Sequence, residues 1–161
     1  MQTYRGEELF TKPARLYRVL AIAEAITWTL LISALIARAV GANPVVVTIA
    51  GGIHGFVFLS YGAMAILVAF NQRWHPGVAV TAVASAIVPY ATIPMEIWLH
   101  RTGRLEGDWR LVETDDPRDR TWYDRTMRWF LLRPWVLGAL IAVAIVALYT
   151  VLLILGPPGG K

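Results

Sequence analysis

Glu24, His54 and Glu96 are the side chains of this sequence best placed to bind or move charge away from water. Each interrupts an apolar run: LAIAEAITW (20–28), GGIHGFVFLSY (51–61) and PYATIPMEIWLH (89–100). A carboxyl near an imidazole can carry a proton, hold a cation or hydrogen-bond a partner. In hydrocarbon each option has consequences, because a charge at a helix centre costs about 3 kcal/mol on insertion scales unless it is paired, hydrated or neutralised. Hydroxyls could link the three groups. Thr27 falls at about the level of His54, Thr92 between His54 and Glu96, and Tyr61 nearer Glu24.

Other chemistries find less support. No two of these groups have ligand spacing on one helix, and one histidine with carboxylates from other helices is not a zinc signature. No metal and no cofactor are therefore expected. Cysteine is absent, which removes thiolate chemistry and disulfides. Ser60 falls on the outer side of its helix and Ser33 away from the Glu24 stripe, so no nucleophilic triad forms. GGIHG lacks the lysine of a phosphate-cradling loop. No catalytic residue is assigned.

The elements that must position these groups are membrane helices. The chain is 57% hydrophobic and 16% charged, with a mean hydropathy of +0.52. Residues 45–70, 78–95 and 134–155 carry no Asp, Glu, Lys or Arg. A bilayer core of ~30 Å needs about 20 apolar residues of helix, and four segments supply them: 16–37, 45–70, 78–99 and 134–155. The expected fold is all-α and integral to the membrane, with four transmembrane helices. Its parts are a polar tail (1–15), a three-helix membrane core (16–100), a polar loop with an interfacial helix (101–133), and a peripheral fourth helix with a short tail (134–161). The net charge of +4 reflects arginines flanking the apolar runs, as is usual in membrane proteins, and implies no nucleic-acid partner.

Periodicity sorts the faces. At about 100° per residue, Gly51, Gly55 and Gly62 share one side of the second helix, next to His54, Phe58 and Tyr61. Ile49, Ile53 and Phe56 occupy the other. Small residues let helix backbones approach closely, so the glycine side is expected to pack inward. Tyr17, Glu24 and Trp28 form a stripe on the first helix, and Ser85, Pro89, Thr92 and Glu96 another on the third. Glu24 lies roughly 12 Å inside its span, and the same rise puts His54 within roughly 5 Å of that depth. Glu96 is expected nearer the His54 end. Pro89 and Pro94 each remove a backbone donor and kink the third helix.

Between 101 and 133 there are eight arginines and seven acidic residues. Trp122, Trp129, Arg133 and Trp135 suit a helix lying at the headgroup level and leading into the last span. Side assignment by basic residues gives two answers for four spans. Arg5, Lys12, Arg15, Arg18, Arg73 and Lys161 fall on one side, against Arg38 and the eight loop arginines on the other. Around the first helix alone, the N-terminal side carries the excess.

Several of these stretches together resemble a family of small bacterial integral membrane proteins, the YdzA-like domain of unknown function. They are LAIAEAITW (20–28), GIHGFVFLSY (52–61), QRW (72–74) and PYATIPME (89–96), within about residues 14–111. The resemblance implies a multi-pass protein of the bacterial inner membrane with a three-helix body, and it carries no established activity. It picks out Glu24, His54, Pro89 and Glu96. The fourth helix departs from the short members and reads as a docking element. The functional expectation is a non-enzymatic accessory or assembly subunit that packs in the lipid bilayer against another membrane protein or itself. Two alternatives stand beside it: an oligomeric proton or cation conductor using Glu24 and His54, and a membrane enzyme acting on a lipid.

Overall fold

The computed structural model describes residues 12–155. Residues 1–11 of the expected polar tail and the short tail at 156–161 lie outside the described residues. Six α-helices follow one another: α1 (Pro13–Ala39), α2 (Val45–Asn71), α3 (Pro76–Ala84), α4 (Thr92–Arg101), α5 (Trp122–Leu131) and α6 (Pro134–Leu155). Short 3₁₀ turns occupy Ser85–Ile87 and Pro117–Arg120, and no strand occurs among the described residues.

α1 and α2 are each 27 residues long, roughly 40 Å at 1.5 Å per residue, and both are long and apolar enough to cross a membrane. Local chemistry sets their ends. Pro13 opens α1, where a missing N–H costs no helical bond. Gly41 turns the chain with φ +102°, a left-handed conformation that favours glycine. Asn43 Oδ1 then accepts from Val45 N at 3.0 Å, occupying one of the otherwise unpaired donors at the start of α2.

The third apolar run does not form one helix. α3 continues through the 3₁₀ turn to Ile87, the chain reverses over residues 88–91, and α4 returns. The reversal is fixed by contacts with α1. Trp28 Nε1 donates to the Ala86 carbonyl (3.2 Å), Thr92 Oγ1 to the Ala21 carbonyl (3.0 Å), and Arg18 Nε to Glu96 (2.8 Å). As the chain advances from 86 to 96, its partners run backward along α1. Trp74 Nε1 bonds the Arg104 carbonyl at 2.8 Å, so the run begins and ends at the same end of the bundle.

The expected single span at 78–99 is therefore corrected to a re-entrant hairpin. Each limb is too short to cross, since the twelve residues from Pro76 to Ile87 rise roughly 18 Å. Pro89 sits in the reversal, where it forfeits no helical bond. Tyr90 makes the turn with φ +66°. Pro94 falls in the first turn of α4, where N–H groups have no intrahelical partner, so neither proline kinks a continuous helix. The reversal also moves Glu96 to the Arg18 end, away from His54.

The core lies where α1, α2 and the hairpin meet. Ala21, Ala65, Ala82 and Ala86 are fully or almost fully buried there, beneath Tyr17 and Tyr61. Alanines, and not the expected glycines, provide the close approach. A Cβ built on Gly55 or Gly62 would meet nothing within 4 Å, because the inward line of α2 is His54, Tyr61, Ala65 and Val68. The glycine column is rotated about 100° away from that line. Gly62 instead borders a groove of about 380 Å³ between α2, the hairpin and α6. Helices α5 and α6 (as far as Leu148) meet at 94°, which lays α5 across the end of the bundle.

Candidate functional site

Two polar assemblies stand out, one inside the bundle and one at its end. Inside, α1 and α2 bring His54 to Thr27, one helical turn beyond Glu24. Thr27 Oγ1 lies 3.1 Å from His54 Nδ1 and donates to the Glu24 backbone carbonyl at 3.0 Å. The His54 ring packs against Trp28, with centroids 4.5 Å apart. Towards the polar end, Tyr17 and Tyr61 hydroxyls meet at 2.6 Å and Tyr61 meets Ser85 at 3.0 Å. Ser85 donates to the Ala82 carbonyl at 2.7 Å, so donors point from Tyr17 through Tyr61 to Ser85.

Glu24 belongs to neither chain. Its side chain has no exposed surface, and neither carboxyl oxygen has a hydrogen-bond partner. Glu96, by contrast, is neutralised by Arg18 near the polar end. Glu24, Thr27, His54, Tyr61 and Thr92 thus gather around one interior as the stripes imply, while Glu96 belongs to its rim. Among the described residues no group of three or more His, Cys, Asp or Glu has metal-binding geometry.

The second assembly went unread in the sequence. Asp119 is 1% exposed and accepts from Arg73 (2.7 Å), Arg110 (2.6 Å), and both the hydroxyl and N–H of Thr114. Arg110 also reaches Asp124 at 2.8 Å and caps α2 through the Phe70 and Asn71 carbonyls (2.7 and 2.8 Å). Asn71 returns the contact, bonding the Asp108 carbonyl and the Arg110 N–H. The polar loop is therefore locked to the end of α2. The sequence signal was the near balance of eight arginines and seven acids in 33 residues, too even for a simple basic belt.

Trp122 and Trp129 lie on α5 and Trp135 at the start of α6. Trp122 and Trp135 are largely exposed, and the Arg133 guanidinium lies 5.1 Å above the Trp129 ring. Such amphipathic rings favour the headgroup level.

The lock has a predictable pH response. The Thr114 hydroxyl and N–H, followed by the Arg110 and Arg73 charges, hold Asp119 below its ordinary value of 3.8 despite burial. Arg118 lowers Asp116 in the same way, with Arg73 adding to it. A depressed carboxylate contributes stability in full above its unfolded pKa and loses it as pH falls through the folded value. Protease resistance of residues 101–133 is expected to stay flat from neutral pH to about 4 and to collapse only below it, as followed by limited digestion with an acid-active protease.

The comparisons with known proteins bear on the interior assembly and the hairpin. A domain of unknown function, DUF3817, matches residues 14–101, from the first turn of α1 to the last residue of α4. The chain belongs to the DUF3817 family. The family's boundaries enclose the two spans and the hairpin, and leave out the Asp119 lock, α5 and α6. A Streptomyces coelicolor protein described as a membrane protein is 36% identical over 93 residues, which are 56% of this chain and 11% of that protein. The chain thus spans about a tenth of the length of that relative. No solved structure matches.

Proposed function

We propose that this DUF3817 chain is a non-enzymatic accessory module of the bacterial inner membrane that packs against a larger membrane protein. The observation that carries this reading is the hairpin tip. Ile87, Val88 and Tyr90 are 66%, 56% and 45% exposed at the reversal, where residues 88–91 are not helical. Irregular backbone at membrane depth is tolerated where protein or a water-filled cavity covers it, and the tip's apolar side chains suit protein. The Streptomyces relative supports this, since the similar stretch there is a small part of a much longer membrane protein.

The re-entrant path also supports one reading of the sides. With α1, α2 and α6 crossing and the hairpin returning, Lys12, Arg15, Arg18, Arg73 and the eight arginines of 101–133 share one face. That makes twelve basic residues against Arg38 among the described residues. By the positive-inside rule that face is cytoplasmic. The two contradictory counts obtained with four spans become one answer.

A photoreactive benzoylphenylalanine at Val88 tests the reading in native membranes. It is expected to give one discrete adduct with another integral membrane protein, while the same residue at Ile36, on the exposed side of α1, captures lipid. Lipid adducts at both positions, or dimers of the chain itself from Val88, would overturn it.

A further inference from the structure

The side-chain donors near Glu24 whose bonds are resolved have other acceptors, and neither of its carboxyl oxygens is hydrogen-bonded. On its own helix, Thr27 donates to the Glu24 backbone carbonyl and Trp28 to the Ala86 carbonyl. From α4, Thr92 donates to the Ala21 carbonyl. From α2, the Tyr61 hydroxyl is spent on Ser85, since Ser85 gives its own proton to Ala82. Arg18, six residues away, turns its Nε to Glu96 at 2.8 Å and leaves the rest of its half-exposed side chain outside this interior. His54 faces Thr27 through Nδ1 at 3.1 Å. A bare carboxylate without partners in a dry interior is among the costliest groups a protein can hold, and such groups normally neutralise.

We propose that Glu24 is a proton-binding site at mid-membrane, a function separate from the docking of the hairpin tip and independent of it. A metal ion does not suit the place, because hard cations take six or more oxygens and this carboxyl offers two. A proton needs one. The site lies between two hydrogen-bonded chains: Tyr17, Tyr61 and Ser85 towards the arginine-rich face, and Thr27 with His54 towards the other. Gaps at Glu24 on both sides make it a store from which a proton leaves only when water or a moving side chain bridges the gap. The titratable groups facing this interior are His54 and Tyr61 from α2 and Tyr17 from α1, with the Arg18–Glu96 pair at its rim.

The test uses the full chain in lipid nanodiscs with dicyclohexylcarbodiimide. This hydrophobic reagent adds whole across a protonated carboxyl and releases nothing, so its mass marks the site. Peptide fragmentation is expected to place a single adduct on Glu24. Glu96, paired with Arg18, and the loop acids remain unlabelled as internal controls, and labelling slows as pH is raised. Infrared difference spectra are expected to show the C=O stretch of a neutral carboxylic acid that Glu24→Gln removes. Because the adduct is mapped on the unmodified chain, a poorly folding variant would not spoil the test. No adduct at Glu24, equal labelling at Glu96, or protection by sodium ions would overturn the proposal.

Discussion

Cysteines placed singly at His75 and at Glu106 will react with a membrane-impermeant maleimide from the same face of the membrane, and a cysteine at Val40 from the opposite face. The background is clean because the chain has no cysteine of its own, and all three positions are exposed. A third run crossing the bilayer would put positions 75 and 106 on opposite faces. The hairpin puts them together, as the 2.8 Å bond from Trp74 to the Arg104 carbonyl requires. The effect is all-or-none and does not depend on any energy estimate. In inverted vesicles positions 75 and 106 should label, and in intact spheroplasts position 40. Labelling of 75 and 106 from opposite faces would remove the hairpin and the side assignment together.

Arg110→Ala is expected to be the most destabilising single change in the polar loop. One guanidinium there serves two acids and two carbonyls: Asp119, Asp124, Phe70 and Asn71. Removing one partner of a buried ion pair costs about 3–5 kcal/mol, mainly because the remaining charge stays buried and unpaired. The Arg110 side chain is 21% exposed and its two acids 2%, which puts the network towards that buried limit. The measurement is thermal unfolding in mild detergent alongside limited proteolysis. Early cleavage within 101–133 with α1 and α2 intact is the expected pattern. Arg118→Ala, whose guanidinium is 69% exposed, should change little, because exposed pairs are worth about 0–1 kcal/mol. Equal effects from the two variants would show that the lock does not hold the loop.

The first two spans were legible almost to the residue. Expected at 16–37 and 45–70, they run Pro13–Ala39 and Val45–Asn71, because prolines and Gly41 mark their ends. The gathering of Glu24, Thr27, His54 and Tyr61 was legible too, since the helical period alone puts them on facing stripes. The hairpin was not. Hydropathy counts apolar residues and carries no direction, so 22 of them describe one crossing or two half-crossings equally well. The clue was electrostatic: with four assumed crossings, two ways of counting basic residues disagreed. The glycine column misled for a different reason. Small side chains permit close approach without compelling it, and alanines one step round the helix took that role. The Asp119 lock depends on pairs as far as 46 residues apart, a separation no local pattern reveals.

The hairpin's half-depth also sets the shape the molecule presents to its lipids. On the face where it enters, both limbs stand beside α1 and α2, whereas beyond the tip those two limbs are missing. Among the described residues the cross-section therefore narrows beyond the tip, and the bundle tapers. On the proposed docking reading, the recess beyond the tip is where the partner's own helices would seat, so the taper would offer a notch to protein and not to lipid.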